Sequence, residues 1–208
     1  MTLITFAQVF LVCLLGAMSP GPSMAVVINN AISKGRYNGV LTAIGHGIGI
    51  AVYATFAVFS LGLIIKNDVF IFNGLKVLSI MFLIFIGVKS LLNEEKLNLE
   101  KNTIEENTIS FLQGFGISIL NPKILIWFIA VYSQFMSENN ELIFDIYLVS
   151  IAGIVDATWY IILTFFITTS SFLKFFQTKI NYLKKIQGIF FIGLGFVLML
   201  NLLTKDHF

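Results

Sequence analysis

Two short polar motifs interrupt long apolar segments, and both are built to restart a helix. Ser19-Pro20-Gly21-Pro22 lies midway along the first such segment and Asn121-Pro122-Lys123 midway along the fourth. Serine and asparagine are good helix N-caps, and proline is favoured at the first helical position, where its missing N–H leaves nothing unbonded. A restarted helix presents free backbone N–H groups and the positive end of its dipole, which suit a carboxylate. Gly21, lacking a Cβ, lets a ligand approach the backbone. Two further residues bring titratable chemistry into apolar surroundings: Asp156, the lone carboxylate well inside a hydrophobic segment, and His46, within Gly45-His46-Gly47-Ile48-Gly49. Asp156 suits an ammonium group or a proton as partner, and His46 suits a proton relay.

Each of these residues also has a plainer reading. Pro20, Pro22 and Pro122 could simply kink helices whose freed carbonyls find neighbours. Lys123 and Asp156 fall near the middle of the fourth and fifth segments, where each costs roughly 2.5–3.5 kcal/mol if it faces lipid. They could pair as a structural ion bridge. His46 could be hydrogen-bonded within a bundle, with Gly45 and Gly49 forming a small-residue face for close helix packing. The glycines around it are no dinucleotide fingerprint, since no strand precedes them and no acidic partner follows. Trp127, Trp159 and Tyr160 read as packing or interfacial anchors, the last two near enough to Asp156 in sequence to stay open as site residues.

The elements that would hold these groups are membrane helices. At 57% hydrophobic and 12% charged, with a mean hydropathy of +0.91, a soluble domain would be covered in apolar surface. At about 20 residues per crossing, six spans are expected, at 4–32, 39–65, 69–92, 108–136, 142–169 and 185–204. No Lys or Arg precedes Lys34, so the first span lacks the basic start of a secretory signal peptide and is expected to remain in the protein. The 22 phenylalanines read as lipid-facing bulk.

The basic residues set an orientation. Lys34 and Arg36, then Lys89, Lys96 and Lys101, then Lys174, Lys179, Lys184 and Lys185 fall in the connections after spans one, three and five, against Lys66, Lys76 and Lys205 on the other side. By the positive-inside rule the first group is cytoplasmic, and both termini lie outside the cytoplasm. The polar stretch 93–107 is the one linker candidate. It divides the chain into a first three-helix repeat (1–92), a cytoplasmic linker (93–107) and a second three-helix repeat (108–208). Three crossings per half make the halves opposite in orientation, so related halves give an inverted repeat. Pro20 pairs with Pro122, Tyr53 with Tyr160, and Lys76-x-x-Ser79-x-x-Phe82 with Lys185-x-x-Gly188-x-x-Phe191. Matched broken helices in two halves point to a transporter's binding site.

Other classes fit less well. A membrane thiol oxidoreductase needs two cysteines, and there is only Cys13. A hydrolase needs a nucleophile with a positioned base, or paired aspartates, and neither pattern occurs. A metal or small-cation exporter would want clustered His, Cys and carboxylates, whereas the segments offer His46 and Asp156; it stays as the alternative.

The series Ser19-Pro20-Gly21-Pro22, Lys34-Gly35-Arg36, Gly45 and Gly49, Lys76 with Leu83 and Gly87, Gly114-Phe115 and Asn121-Pro122-Lys123 resembles the lysine-exporter (LysE/RhtB-type) amino-acid efflux family over essentially the whole chain. Ser79 and Phe82 depart from it, standing where glycine and tyrosine are expected. The resemblance implies an all-α integral protein of the bacterial inner membrane that exports amino acids in exchange for protons. Its partners would be the amino acid, protons and the lipid bilayer, with no nucleic acid, cofactor or metal; the glycine faces permit a homo-oligomer. The substrate-binding residues expected are Ser19, Pro20, Gly21, Pro22, Asn121, Pro122, Lys123 and Asp156, with Asp156 and His46 for proton coupling. One Asp and one Lys carry no net charge, which favours a neutral amino acid or a close derivative over a dibasic one.

Overall fold

The computed structural model describes residues 3–92, 110–137 and 141–205. The 93–107 linker therefore lies outside the described residues. Eight helices are present among them: α1 (Leu3–Ala17), α2 (Pro22–Ser33), α3 (Arg36–Asn67), α4 (Val69–Leu92), α5 (Ser110–Leu120), α6 (Pro122–Tyr132), α7 (Leu142–Ile167) and α8 (Ser170–Lys205). Four are long and apolar enough to cross a membrane by themselves. The two remaining pairs, α1 with α2 and α5 with α6, are bent by 65° and 62° and complete a set of six if each pair is one span. Exposed side chains such as Phe56, Phe59, Phe70, Phe85, Ile154 and Phe196 cover the outside. That surface belongs in a bilayer, and the chain is an all-α multi-pass membrane protein.

The breaks form where the sequence puts them, for slightly different reasons. Asn121 is the N-cap of α6, its Oδ1 accepting from the Lys123 N–H at 3.1 Å, with Pro122 opening the helix. In α2 the expected serine cap is absent. Gly21 is the N-cap and makes no side-chain bond, with Pro22 in the first turn; Ser19 lies two residues too early and serves another purpose. The carbonyls freed at the end of each first half-helix are taken up by side chains of long helices. Gln187 Nε2 donates to the Leu15 carbonyl at 3.1 Å, and the Tyr53 hydroxyl donates to the Ile119 carbonyl. Backbone polarity at a membrane break must be satisfied in this way.

Two differences from the sequence reading concern connections. The fifth, expected to run to 185 with Lys174, Lys179, Lys184 and Lys185 in a loop, shrinks to Thr168 and Thr169, because α8 is one continuous helix of 36 residues. No Gly or Pro stands between Ser170 and Gln187 to stop it. At 1.5 Å per residue α8 is about 54 Å long, longer than the roughly 30 Å hydrocarbon layer, so its lysine-rich first half extends past the membrane core. Between α3 and α4 only Asp68 intervenes, and its Oδ1 accepts from the Ile71 N–H at 3.0 Å to start α4.

Close packing is organised by glycine. A Cβ on Gly47 would lie 2.7 Å from the Gly153 carbonyl oxygen and one on Gly153 2.9 Å from that of Gly47, which locks α3 to α7. Gly87 and Gly188 meet reciprocally too, at 2.8 and 2.7 Å, and join α4 to α8. Each pair takes one glycine from each half of the chain. The buried side chains form two clusters. One contains Val9, Leu61, Phe72, Tyr132, Phe144 and Leu148; the other contains Met24, Val27, Ile28, Ala43, Tyr160 and Leu163.

Beside the second cluster, α2, α3 and α5 are tied by polar side chains. Asn30 Nδ2 donates to Thr42 Oγ1 at 2.8 Å and to Gln113 Oε1 at 2.7 Å, and Ser110 Oγ donates to Asn38 Oδ1 at 2.9 Å. Asn30 is buried, so Asn30→Leu strands two acceptors away from water. A loss of about 1–3 kcal/mol is expected, visible as a lower unfolding midpoint of the purified protein in detergent.

Candidate functional site

Both breaks open on one cavity. A space of ≈ 80 Å³ is lined by residues from the two breaks (Ser19, Gly21, Pro22 and Asn121, Lys123), from α3 (His46, Ile50), from α7 (Ala152, Asp156, Tyr160), and by Cys13, Gly16, Ser23, Trp127, Phe128 and Phe191 among others. It is bounded by apolar side chains of the first cluster on one side and by Tyr160 of the second on the other. A second, larger space of ≈ 690 Å³ shares Ser19, Gly21, Pro22 and Lys123 with it and continues past Pro20, Phe82, Phe85, Lys89, Lys184 and Gln187. The break residues thus stand between a tight chamber and a wide vestibule.

Of the residues expected from the sequence, Ser19, Gly21, Pro22, Asn121, Lys123, Asp156 and His46 line the chamber, and Pro20 lines the vestibule. Pro122 opens α6. One close pair among them was not anticipated. Asp156 Oδ2 lies 2.6 Å from His46 Nδ1, both side chains being buried. Lys123 is exposed, and its Nζ donates to Ser19 Oγ at 2.9 Å, linking one break to the other. The mid-membrane carboxylate has a histidine as a close partner. The reason is helix rotation: Gly47 against Gly153 sets α3 on α7, and His46 and Asp156 sit next to that contact on the two helices.

The two restarted helices also differ electrically. The end of α6 is closed by its own asparagine. The end of α2 has no side-chain cap, and Gly21, Pro22 and Ser23 line the chamber. Its first-turn N–H groups and positive dipole end are therefore the ones left for an anionic ligand.

Three polar groups lining the chamber are buried and have no hydrogen-bond partner within the protein: Ser23 Oγ, His46 Nε2 and Trp127 Nε1. Buried polar groups are nearly always paired, and three such groups on residues of one small cavity could be completed by a polar ligand there. Ser23 and Trp127 were missed by sequence reading. Trp127 enters because Gly16 makes room: a Cβ there would lie 2.7 Å from the indole ring. Tyr160, left open above, lines the chamber and sets its ring edge-on to His46 at 5.0 Å between centroids. Trp159 lines neither space.

The family model for LysE type translocators matches residues 14–202. The chain belongs to that family. The relatives it matches agree along nearly their full length. It is 27% identical to the uncharacterized membrane protein YrhP of Bacillus subtilis (strain 168) over 194 residues, 85% of this chain and 89% of that protein. It is 24% identical to the threonine efflux protein of Escherichia coli (strain K12) over 204 residues, 96% of this chain and 99% of that one. The threonine efflux protein of Salmonella typhimurium is likewise 24% identical over 201 residues, covering 94% and 98%. No solved structure matches. Both breaks, the His46–Asp156 pair and all the named lining residues of the two spaces except Cys13 fall inside the matched region.

Proposed function

We propose that this translocator exports a neutral amino acid from the cytoplasm in exchange for protons. The observation that carries the reading is the chamber's two unlike ends. At one end are the uncapped start of α2, Ser23 and the Lys123 ammonium, all suited to a carboxylate. At the other is the buried His46–Asp156 pair, suited to an ammonium group and to a proton. An α-amino acid carries those two charges on groups bonded to one carbon, and a site with both signs favours a zwitterion. Threonine, the substrate named in two of the relatives, is the first compound to try.

Further features support the mode of action. The order of one broken pair followed by two long helices occurs on each side of the linker, and the reciprocal glycines join equivalent helices of the two halves. Both are what an inverted repeat produces, and rocking of such repeats gives alternating access. With both termini outside the cytoplasm, as the lysine distribution favours, the vestibule past Lys89 and Lys184 opens toward the cytoplasm and is the loading route. Metal efflux has less support: among the described residues no group of three His, Cys, Asp or Glu could hold an ion.

The test is efflux from cells loaded with dipeptides, with amino acids inside and outside quantified by mass spectrometry. Cells producing the protein should release at least one neutral amino acid several-fold faster than cells without it, and more slowly once the proton gradient is collapsed. Equal release of all amino acids with and without the protein would refute the proposal.

A further inference from the structure

One nitrogen stands out among the groups around the chamber. His46 is 1% exposed, its Nδ1 is held by Asp156 at 2.6 Å, and its Nε2 is buried without a partner. An ionised Asp156 at that distance would accept the Nδ1 proton whether the ring is neutral or charged, and would so fix the tautomer. The ring therefore gains or loses its charge at Nε2. Tyr160 packs edge-on against the imidazole, and the Gly45 and Gly47 contacts fix the backbone on either side against α5 and α7. The ring has little freedom to turn and exchange its nitrogens.

We propose that His46 Nε2 is the single atom for which the substrate's ammonium group and the coupling proton compete, with Asp156 as a positioning residue. This deepens the amino-acid reading above and rests on it. When the ring is neutral, Nε2 offers a lone pair that accepts an N–H from the ammonium, and the pair with Asp156 is anionic. When the ring is protonated, Nε2 carries a hydrogen, cannot accept, and the pair is neutral. Substrate and proton exclude each other, one for one, which is the condition for exchange in place of co-transport. The other titratable groups on the chamber are Tyr160 on α7, Cys13 on α1 and Lys123 beside the breaks. The helices α2 and α5 have no titratable side chain, and the lysines of α4 and α8 do not line the chamber. Of these, Lys123 lies at the carboxylate end, bonded to Ser19, which leaves the ammonium end to His46.

The chain has two histidines, His46 and His207, so His207→Gln leaves one imidazole to observe. Its nitrogen-15 spectrum, recorded against pH with and without L-threonine, reads the tautomer directly. In the neutral ring Nδ1 should carry the proton and Nε2 the lone pair. Saturating L-threonine should move the Nε2 resonance and lower the pH at which Nε2 is protonated, because by reciprocity a ligand that excludes the proton is itself weakened about tenfold per pH unit below that point. A neutral ring protonated at Nε2 overturns the proposal without any ligand. A titration unmoved by L-threonine, in protein that exports L-threonine from loaded cells, overturns it as well. Failure of every amino acid in the efflux assay would instead strike the underlying reading, and the tautomer would still decide whether Nε2 is an open acceptor. His46→Gln removes the titrating nitrogen, so whatever export remains should lose its pH dependence and move no protons. Proton-coupled uphill export by that variant would also overturn the assignment.

Discussion

Asp156→Asn is expected to reduce uphill export to the level of membranes lacking the protein, with protein yield and unfolding midpoint close to those of the unaltered chain. Asparagine keeps the size of the side chain and an oxygen for the His46 Nδ1–H, so the 2.6 Å contact is retained as a neutral hydrogen bond. What disappears is the charge that holds the tautomer and attracts an ammonium group. The cost to stability should stay near the difference between a charge-assisted and a neutral hydrogen bond, about 1 kcal/mol. The accompanying change Lys123→Gln should not restore export, because the 2.6 Å contact of the carboxylate is with His46 and Lys123 Nζ bonds Ser19. Uphill export regained in the double variant would show that Asp156 works as a counter-charge to Lys123.

The second large effect contrasts two glycines. Gly21 has an extended backbone, with φ near 171°, and a Cβ built on it meets nothing within 4 Å. Gly21→Val should therefore fold and insert normally while its side chain occupies space at the junction of chamber and vestibule, stopping export. A Cβ on Gly114 would collide with the Thr42 carbonyl of α3, which is backbone and cannot yield. Gly114→Val should deplete folded protein from the membrane, a cost above the 1–3 kcal/mol usual for overpacking. Membrane yield, size-exclusion profile and export rate, measured on the two variants side by side, check the pair of expectations. Normal export by Gly21→Val would mean that substrate does not pass the first break.

Sequence reading located the breaks because proline and asparagine act locally. A missing N–H and a side-chain cap impose their geometry whatever surrounds them. Even so, Ser19 was given the capping role that Gly21 fills, since the sequence offers two prolines and does not say which one opens the helix. Asp156 and His46 were found for a different reason: a titratable side chain amid apolar residues is conspicuous in any membrane segment. That they face each other was not legible, because partnership depends on the rotation of α3 against α7. The signal that could have helped is small-residue spacing, with Gly47 beside His46 and Gly153 one helical turn before Asp156. Ser23 and Trp127 carry no such mark, as serine and tryptophan are ordinary in membrane helices. The extent of α8 was misread because four lysines look like a loop, although nothing between Ser170 and Gln187 breaks a helix.

In the proposed mode of binding the chamber grips an amino acid at both charged ends. Titration calorimetry of the purified protein tests it with three ligands of similar size: L-threonine, L-threonine amide without the carboxylate, and N-acetyl-L-threonine without the ammonium group. L-Threonine should bind at least tenfold more tightly than either derivative, about 1.4 kcal/mol per end. Ser23→Ala should narrow the gap to the amide alone, and His46→Gln should abolish the pH dependence of binding. Equal affinity for L-threonine and both derivatives would contradict this mode of binding.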